Sequence, residues 1–506
     1  MIRQTLLAGA TLLITGAAAA TPAPAPLGLA ALARLGSVSE RYQAYNIEMV
    51  EVTGGRFWAP YGGPPGEIYR QRPPIDLTDP KLVALARNLG PSLMRVSGTW
   101  SNNTYLETPG ETLATPPAGF MQVLKRSQWT NVIAFSKAVD APIVTSFAVS
   151  LGTRGPDGLW QPEQAQRVVE LTREAGGRLY AAEFFNEPNM PGGAKGMPAH
   201  YNAANYAVDF RAFRDWARKA APGMLILGPG GVGEGGLTRD IPVNAFGDAV
   251  SSEDMMKGNP GSLDAVSYHF YGSVSQRCEA LKIGTADRAE ALKPTWLDRT
   301  LVDVDFYARQ RDKYEPGKPL WNTETAQAAC GGSPWASTFL DSFRYLNQLG
   351  ALAQRGVQVV MHNTLAASDY ALIDRDTMTP RPNYWAAVLW RRMMGSTVLA
   401  APHSPSPELR LYAHCLRDVP GGVGLLAINT GTAPQELAVG RRALAWSLQG
   451  EPIDTRSITI NGRAPALDAK GTLTGLDGVP VRGALRVQGS SISFVAVRDA
   501  GNPACR

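Results

Sequence analysis

The stretch AAEFFNEPNM, Ala181–Met190, decides how this chain is read. A short apolar run, YAAEFFN (180–186), ends in Asn186–Glu187–Pro188 and so sets a carboxylate at the tip of a strand, with no basic residue beside it. An acidic residue before a proline is often only the start of a loop. Glu187 becomes chemically interesting only if a second carboxylate faces it from elsewhere in the chain.

Seven other runs share that texture: AYNIEMVEV (44–52), SLMRVSG (92–98), PIVTSFAVS (142–150), MLILGPG (224–230), LDAVSYH (263–269), KPLWNTE (318–324) and VQVVMHN (357–363). Amphipathic stretches lie between them. In 201–223, Tyr206, Phe210, Phe213 and Ala217 recur at helical spacing. Strands alternating with helices imply a parallel sheet, and eight such units imply a (β/α)8 barrel, a TIM barrel, in the α/β class. The alternative, an open doubly wound sheet, is weakened because no GxGxxG follows the first run. After residue 395 the pattern becomes short alternating runs (LRLYAHCL, GVGLLAIN, ALAWSLQG, RSITING, SISFVAVR) broken by Gly, Pro, Asn and Asp. These predict a C-terminal antiparallel β-sandwich that also takes in an N-terminal strand. The expected division is a signal peptide at 1–20, a catalytic barrel at 44–395, and a sandwich built from 27–43 plus 396–506.

Barrel enzymes carry their chemistry at the C-terminal ends of the strands. Glu187 stands just past the fourth run, and Glu324 is expected just past the seventh, on the opposite side of the barrel mouth. Two carboxylates so placed can flank a glycosidic bond, one attacking the anomeric carbon and the other protonating the leaving oxygen. Glu183 competes with Glu187 but lies deeper in the strand, where a buried or paired role is expected. Asn186 places an amide beside the acid, within reach of a sugar 2-hydroxyl.

These segments together resemble glycoside hydrolase family 79, the heparanase and β-glucuronidase family among the retaining barrel glycosidases. The segments that carry the resemblance are RVSGTWSNN (95–103), FFNEPN (184–189), VSYHFYG (266–272), WNTETAQAACGG (321–332) and SDYALID (368–374). The resemblance implies Glu187 as acid/base and Glu324 as nucleophile, with Asn186 on the 2-hydroxyl. It implies that Tyr271 hydrogen-bonds the nucleophile or ring oxygen, and that Glu48, Gly98 and Thr99 hold hydroxyls of the terminal sugar. Tyr370 and the backbone amides near Gly331 and Gly332 would cradle a uronate carboxylate. His269 is expected to be a satisfied core or supporting histidine. The chain departs from the family pattern at Ala329 and Cys330, where a tyrosine is common, and at Asp369, where an amide is usual.

Composition narrows the remaining classes. Arg3, the apolar run 6–20, and Ala18 and Ala20 read as an export signal with its cleavage site. The run is short for a bilayer span, and no later segment is long enough for one. The expected location is therefore secreted or periplasmic, without a membrane span. The net charge of +5 drops by one when Arg3 leaves, which is nearly neutral over 506 residues. The nearest basic run, RQRDK (309–313), reads as a solvated helix face, so no nucleic-acid partner is expected. Five histidines with no HxH or HExxH pattern argue against metal chemistry, and no metal or cofactor is expected. Four cysteines after an export signal suggest disulfides, with three pairings open. The family resemblance pairs Cys415 with Cys505, which leaves Cys278 with Cys330, joining the loops after strands six and seven.

The reading is thus a monomeric retaining glycosidase that removes β-linked glucuronic acid from chain ends of glycosaminoglycan-like or plant or microbial glycans. Runs of lysine beside a cleft, which internal cutting of sulfated chains would favour, are absent. The loops 54–74 and 104–120 could wall the site into a pocket. An endo-acting heparanase- or hyaluronidase-like enzyme, a glycosidase for a non-uronate sugar, and a catalytically dead carbohydrate-binding barrel are the alternatives.

Overall fold

The computed structural model describes residues 26–64, 66–191, 196–237, 250–282, 284–440 and 442–506. The signal-peptide reading of 1–20 lies outside them.

The eight apolar runs become eight parallel strands of a closed barrel. In chain order these are Gln43–Glu48, Met94–Ser97, Ile143–Thr145, Leu179–Glu183, Leu225–Val232, Ala265–Tyr271, Leu320–Ala326 and Val357–His362, here barrel strands one to eight. Strand eight closes on strand one through Val360–Gln43 and His362–Tyr45 pairing. Several boundaries differ from the sequence expectation, as at strand three, which stops at Thr145 where the apolar run continued to 150, and two of the differences bear on the site. The run 44–52 is two elements: strand one stops at Glu48, and Met49–Thr53 turns into a short helix. There the Glu51 carboxylate accepts the Glu48 backbone N–H at 2.9 Å, so the polar residues at this point begin a helix instead of extending a strand. Strand seven runs on to Ala326, so Glu324 sits within the strand and not past its end.

Helices pack outside the barrel because its strands are apolar on both faces. The helix Ala203–Ala220 opens with Asn202 accepting the Ala204 and Asn205 N–H groups. It buries Tyr206, Phe210, Phe213 and Ala217. Phe184, one residue past strand four, stacks on Phe213 at 5.1 Å and meets Trp160 edge-on at 5.3 Å. The end of strand four is therefore locked from outside by aromatic packing.

The C-terminal region forms an antiparallel sheet. Its strand order is Arg34–Ser37, Met394–Leu399, Leu409–Leu416, Val423–Asn429, Ser491–Val497, Ala443–Gln449 and Thr459–Ile460. The N-terminal strand pairs at the edge, Ser37 opposite Thr397. Alternation divides the sheet's two faces. Leu411, Ala413, Leu425, Ala427, Val495 and Val497 point into a core completed by Leu437, Leu485 and Val487 of the paired strands Gln435–Ala438 and Ala484–Val487. Tyr412, Leu426, Ile428 and Phe494 face the barrel's core instead. Tyr412 reaches across to donate to Asn347 Oδ1 at 2.7 Å on the helix Phe339–Gln354, tying the sheet to the barrel. Disulfides join Cys415 to Cys505 and Cys278 to Cys330. No helix among the described residues is long and apolar enough to cross a membrane.

Candidate active site

The site sits at the mouth of the barrel and is built from the ends of strands one, two, four, six, seven and eight. Glu187 follows strand four in a tight turn. Its φ is +49°, a left-handed conformation that costs a glutamate on the order of 1–3 kcal/mol and is held only where surroundings enforce it. The surroundings are visible. Met190 N–H donates to the Glu187 carbonyl at 2.9 Å. Asn189 clamps the turn to strand five, its Nδ2 donating to Val232 O at 3.1 Å and its Oδ1 accepting Val232 N–H at 3.0 Å. The second asparagine of NEPN is thus a fastener.

Glu324 projects from strand seven. Its Oε2 accepts Arg95 Nη1 at 2.7 Å, and its Oε1 accepts the Tyr271 hydroxyl at 2.6 Å. A carboxylate oxygen of Glu187, one of Glu324 and a ring nitrogen of His269 all lie within 4.8 Å of one another. The two carboxylates therefore converge although 137 residues separate them in the chain.

Two cations hold this acidic cluster together. Arg95, fully buried in strand two, donates Nε to Glu183 Oε2 at 3.0 Å, Nη1 to Glu324 and Nη2 to Asn186 Oδ1 at 2.8 Å. His269, on strand six, places Nδ1 3.2 Å from Glu187 Oε1, 3.8 Å from Glu324 Oε2, and Nε2 3.7 Å from Glu183 Oε1. Burial and the nearby Arg95 work against a charged ring, but Glu324 and the bonds to Glu183 and Glu187 outweigh them and raise its pKa to about 9. Glu183 is desolvated, yet Arg95, His269 and the Thr323 hydroxyl hold its carboxyl far below the usual range. Burial, then the charge of Glu324, pushes the Glu187 carboxyl up. Glu48 is pushed well up for the same two reasons. Buried charge is costly unless balanced. Arg95 and His269 answer the low-lying Glu183 carboxyl, and the upward shifts of Glu187 and Glu48 lessen the negative charge left to balance.

Glu187, His269 and Glu324 are spaced as a cation site would be, but the residues do not suit a metal. The raised pKa of His269, about 9, favours a proton on its ring over a metal, and Arg95 already occupies the Glu324 oxygen.

The other expected residues fall around this pair. Asn186 has its Oδ1 taken by Arg95, and its backbone is held by Asn102 from both sides, at 2.9 Å each; its Nδ2 remains for a substrate hydroxyl. Asn363, from strand eight's end, points Nδ2 at Glu48 Oε1 (3.0 Å), Tyr271 OH (3.0 Å) and Tyr370 OH (3.2 Å). The buried Glu48 Oε2 has no protein partner. Gly98 lies against Glu48: a Cβ there would fall 1.7 Å from that Oε2. Its contribution is space for Glu48, and Thr99 follows at the start of a short 3-10 turn. Gly331 and Gly332 have φ of +82° and +83°. The Gly332 N–H is already given to Ala328 O at 3.2 Å, so that amide is not free to bind an anion. Asp369 is clamped by Arg277, which stacks over Tyr61 at 3.8 Å, so its charge is neutralised within the loop.

Sequence reasoning undervalued His269, which touches Glu187 directly, and passed over Arg95, Asn102, Arg277 and Asn363. Arg95 carried a signal: an arginine inside an apolar barrel strand must find buried carboxylates. Nothing local marked Asn363 or Arg277, whose partners come from distant loops.

A closed parallel barrel joined to an antiparallel sandwich, with paired glutamates at its mouth, is the architecture of the clan A glycosidases. The fold is similar to that of a 4-O-α-L-rhamnosyl-β-D-glucuronidase from Fusarium oxysporum, with a TM-score of 0.63 and 13% identity over 94% of this chain and 99% of that one. No family model matches the chain. The curated relatives nevertheless bear out the resemblance to glycoside hydrolase family 79. The chain is 27% identical over 372 residues to heparanase-like protein 1 of Arabidopsis thaliana, covering 70% of this chain and 65% of that one. It is 26% identical over 379 residues to heparanase of Bos taurus, covering 71% of this chain and 66% of that one. The matched region is thus just under two thirds of those relatives' length.

Proposed function

We propose that this protein is a retaining glycoside hydrolase that releases β-linked glucuronic acid from the ends of glycan chains. The observation that carries the reading is the approach of Glu187 and Glu324, with carboxylate oxygens within 4.8 Å. Retention needs carboxyl groups about 5–5.5 Å apart, whereas inversion needs roughly 6.5–9.5 Å to admit a water. Glu324 is the nucleophile. Arg95 and Tyr271 hold both its oxygens, which aims it at the sugar. Glu187 is the acid, kept protonated by burial and by the Glu324 charge. When Glu324 becomes an ester in the glycosyl-enzyme, that charge disappears, and Glu187 can take a proton from the attacking water. Asn186 Nδ2 holds the 2-hydroxyl, and Glu48 with Asn363 holds hydroxyls further round the ring. Tyr370 borders the expected carboxylate pocket. The reaction requires no cofactor.

An endo-acting, heparanase-like enzyme is the second reading, favoured by the names of the curated relatives. We take residues 44–395 as the catalytic barrel and 27–43 plus 396–506 as the sandwich domain, except that Gln43 belongs to barrel strand one and Met394 and Gly395 to the sandwich sheet, and infer a monomer exported after loss of residues 1–20.

A panel of nitrophenyl glycosides tests the reading. The β-glucuronide should be turned over, with Glu324→Gln reducing kcat by at least about 10³-fold while sugar binding survives. Turnover of other sugars in preference would retain the chemistry and replace the substrate; no turnover of any glycoside, with binding unaffected by Glu324→Gln, would favour the carbohydrate-binding alternative.

A further inference from the structure

Asp209 is a buried carboxylate on the helix Ala203–Ala220 with no part in the proposed reaction. Donors from two loops converge on it. In the loop after strand three, Arg154 Nη1 pairs with its Oδ2 and the Trp160 backbone N–H donates to its Oδ1 at 3.0 Å. In the loop after strand four, the Tyr201 hydroxyl donates to its Oδ2 at 3.0 Å. We propose that Asp209 is a positioning residue for Glu187: it pins both loops to one helix and so fixes the aromatic wall on which the turn carrying the acid rests. The proposal deepens the glycosidase reading and depends on it.

The path from Asp209 to the acid runs through two ring contacts. Trp160 meets Phe184 edge-on at 5.3 Å, its Nε1 fastened to Ala148 O at 3.0 Å. Tyr201 meets Phe185 edge-on at 6.0 Å. Phe184 and Phe185 are the residues immediately before Asn186 and Glu187, and all four rings are buried. Arg154 ties the two routes together: Nη2 donates to Val149 O at 2.9 Å, and the guanidinium lies 5.5 Å over the Tyr201 ring. The strand-three side also joins strand four directly, Phe147 N–H donating to Phe184 O at 3.1 Å.

Glu187 has particular need of such support. Glu324 is aimed by two short bonds to its own oxygens, from Arg95 and Tyr271. The Glu187 carboxylate has one hydrogen-bonding side chain among the described residues, His269 at 3.2 Å, so its direction is inherited from the backbone of its turn. That turn is strained at Glu187, and is held from strand five through Asn189 and from the loop after strand two by Asn102 on Asn186. Asp209 supplies the third side. Apolar burial alone is non-directional and would let Trp160 and Tyr201 slide. Charge-assisted hydrogen bonds to one carboxylate fix their polar ends in orientation as well as distance. Burying that charge is costly, and Arg154 provides the counter-charge that offsets it.

Two aryl glycosides of the sugar that the nitrophenyl panel selects separate aim from stability. A phenyl leaving group needs the proton that Glu187 gives, whereas 2,4-dinitrophenolate departs without one. The phenyl-to-dinitrophenyl ratio of kcat/KM should fall at least about tenfold in Asp209→Asn, and roughly threefold in Tyr201→Phe, which keeps the ring and removes one bond to Asp209. A variant that merely loses folded protein slows both substrates equally, so an unchanged ratio in both variants would overturn the proposal. Tyr201→Phe decides alone where Asp209→Asn does not fold. Hydrogen exchange followed by mass spectrometry needs no turnover. Amides in 184–190 should exchange at least about tenfold faster in Asp209→Asn and measurably faster in Tyr201→Phe, with those in 423–429 of the sandwich unchanged. Equal exchange in 184–190 of parent and variants would overturn the proposal whatever the activity. Loosening confined to 184–190, in a protein whose parent turns over no member of the panel, would overturn the glycosidase reading and leave Asp209 as the fastener of that turn.

Discussion

Glu48 and Gly98 show how tightly the site is drawn at the scale of single residues. A side chain at Gly98 and the present position of the Glu48 carboxylate exclude each other. Gly98→Ala should leave a folded protein, weakened by about 1–3 kcal/mol because its φ of +95° suits only glycine. Displacing Glu48 should lower kcat/KM by roughly 10²-fold, the scale of a 1 Å misplacement. Full activity in a folded Gly98→Ala protein would remove Glu48 from substrate binding. His269 gives a second prediction. Its pKa of about 9 in the folded protein lies above the ordinary 6.5. The folded state then binds a proton more tightly than the unfolded chain, so the stabilisation is complete below pH 6.5 and is lost as pH rises through 9. Urea melts between pH 7 and 9 should show falling stability in the parent and a flatter profile in His269→Gln. Two parallel profiles would mean that the ring is neutral in the fold. Both residues lay within quoted motifs, yet only the carboxylates announced themselves in the sequence. A glutamate pair has a chemical reason to be paired, whereas a histidine reads equally as packing until its neighbours are known.

Among the elements, strand four and the helix Ala203–Ala220 form the unit that aims Glu187. Phe213 is fully buried and contacts Phe184, Phe147, Trp160 and Phe210 at centroid distances of 5.1–6.0 Å. Phe213→Ala should cost about 3–5 kcal/mol in unfolding free energy. It should also lower activity below the melting transition, because the turn carrying Glu187 rests on Phe184. A loss under about 1 kcal/mol would mean the aromatic cluster is loosely packed. The eight strands and this helix were legible because burial imposes period: apolar runs for strands covered on both faces, a 3.6-residue stripe for the helix. Element ends were less legible. Residues 49–53 continue the apolar texture of strand one, and local polar contacts, the Glu51 bond to Glu48 N–H and the Thr53 hydroxyl on Met49 O, accompany their turn into a helix. Glu324 was expected at the tip of the run 318–324, but strand seven carries its polar residues, Asn322 to Thr325, on to Ala326. Thr323 and Glu324 are polar because they face the buried charge network, on Glu183 and Arg95, whereas Thr325 accepts Gln348 Nε2 at 2.9 Å from the helix Phe339–Gln354.

Across the whole molecule, two sheets of different kind divide the work. The barrel brings Glu187 and Glu324 together across its mouth, and the sandwich braces the outside of the helices Phe339–Gln354 and Pro382–Met393. The sandwich's alternating runs foretold its faces, one closing on its own core and one on the barrel. The central claim is that Glu324 attacks the sugar directly while Glu187 serves first as acid and then as base. Proton NMR of the first product released from an aryl β-glucuronide tests it most directly. Double displacement predicts that the β-anomer of the free sugar appears first and equilibrates later; the α-anomer appearing first would contradict the account.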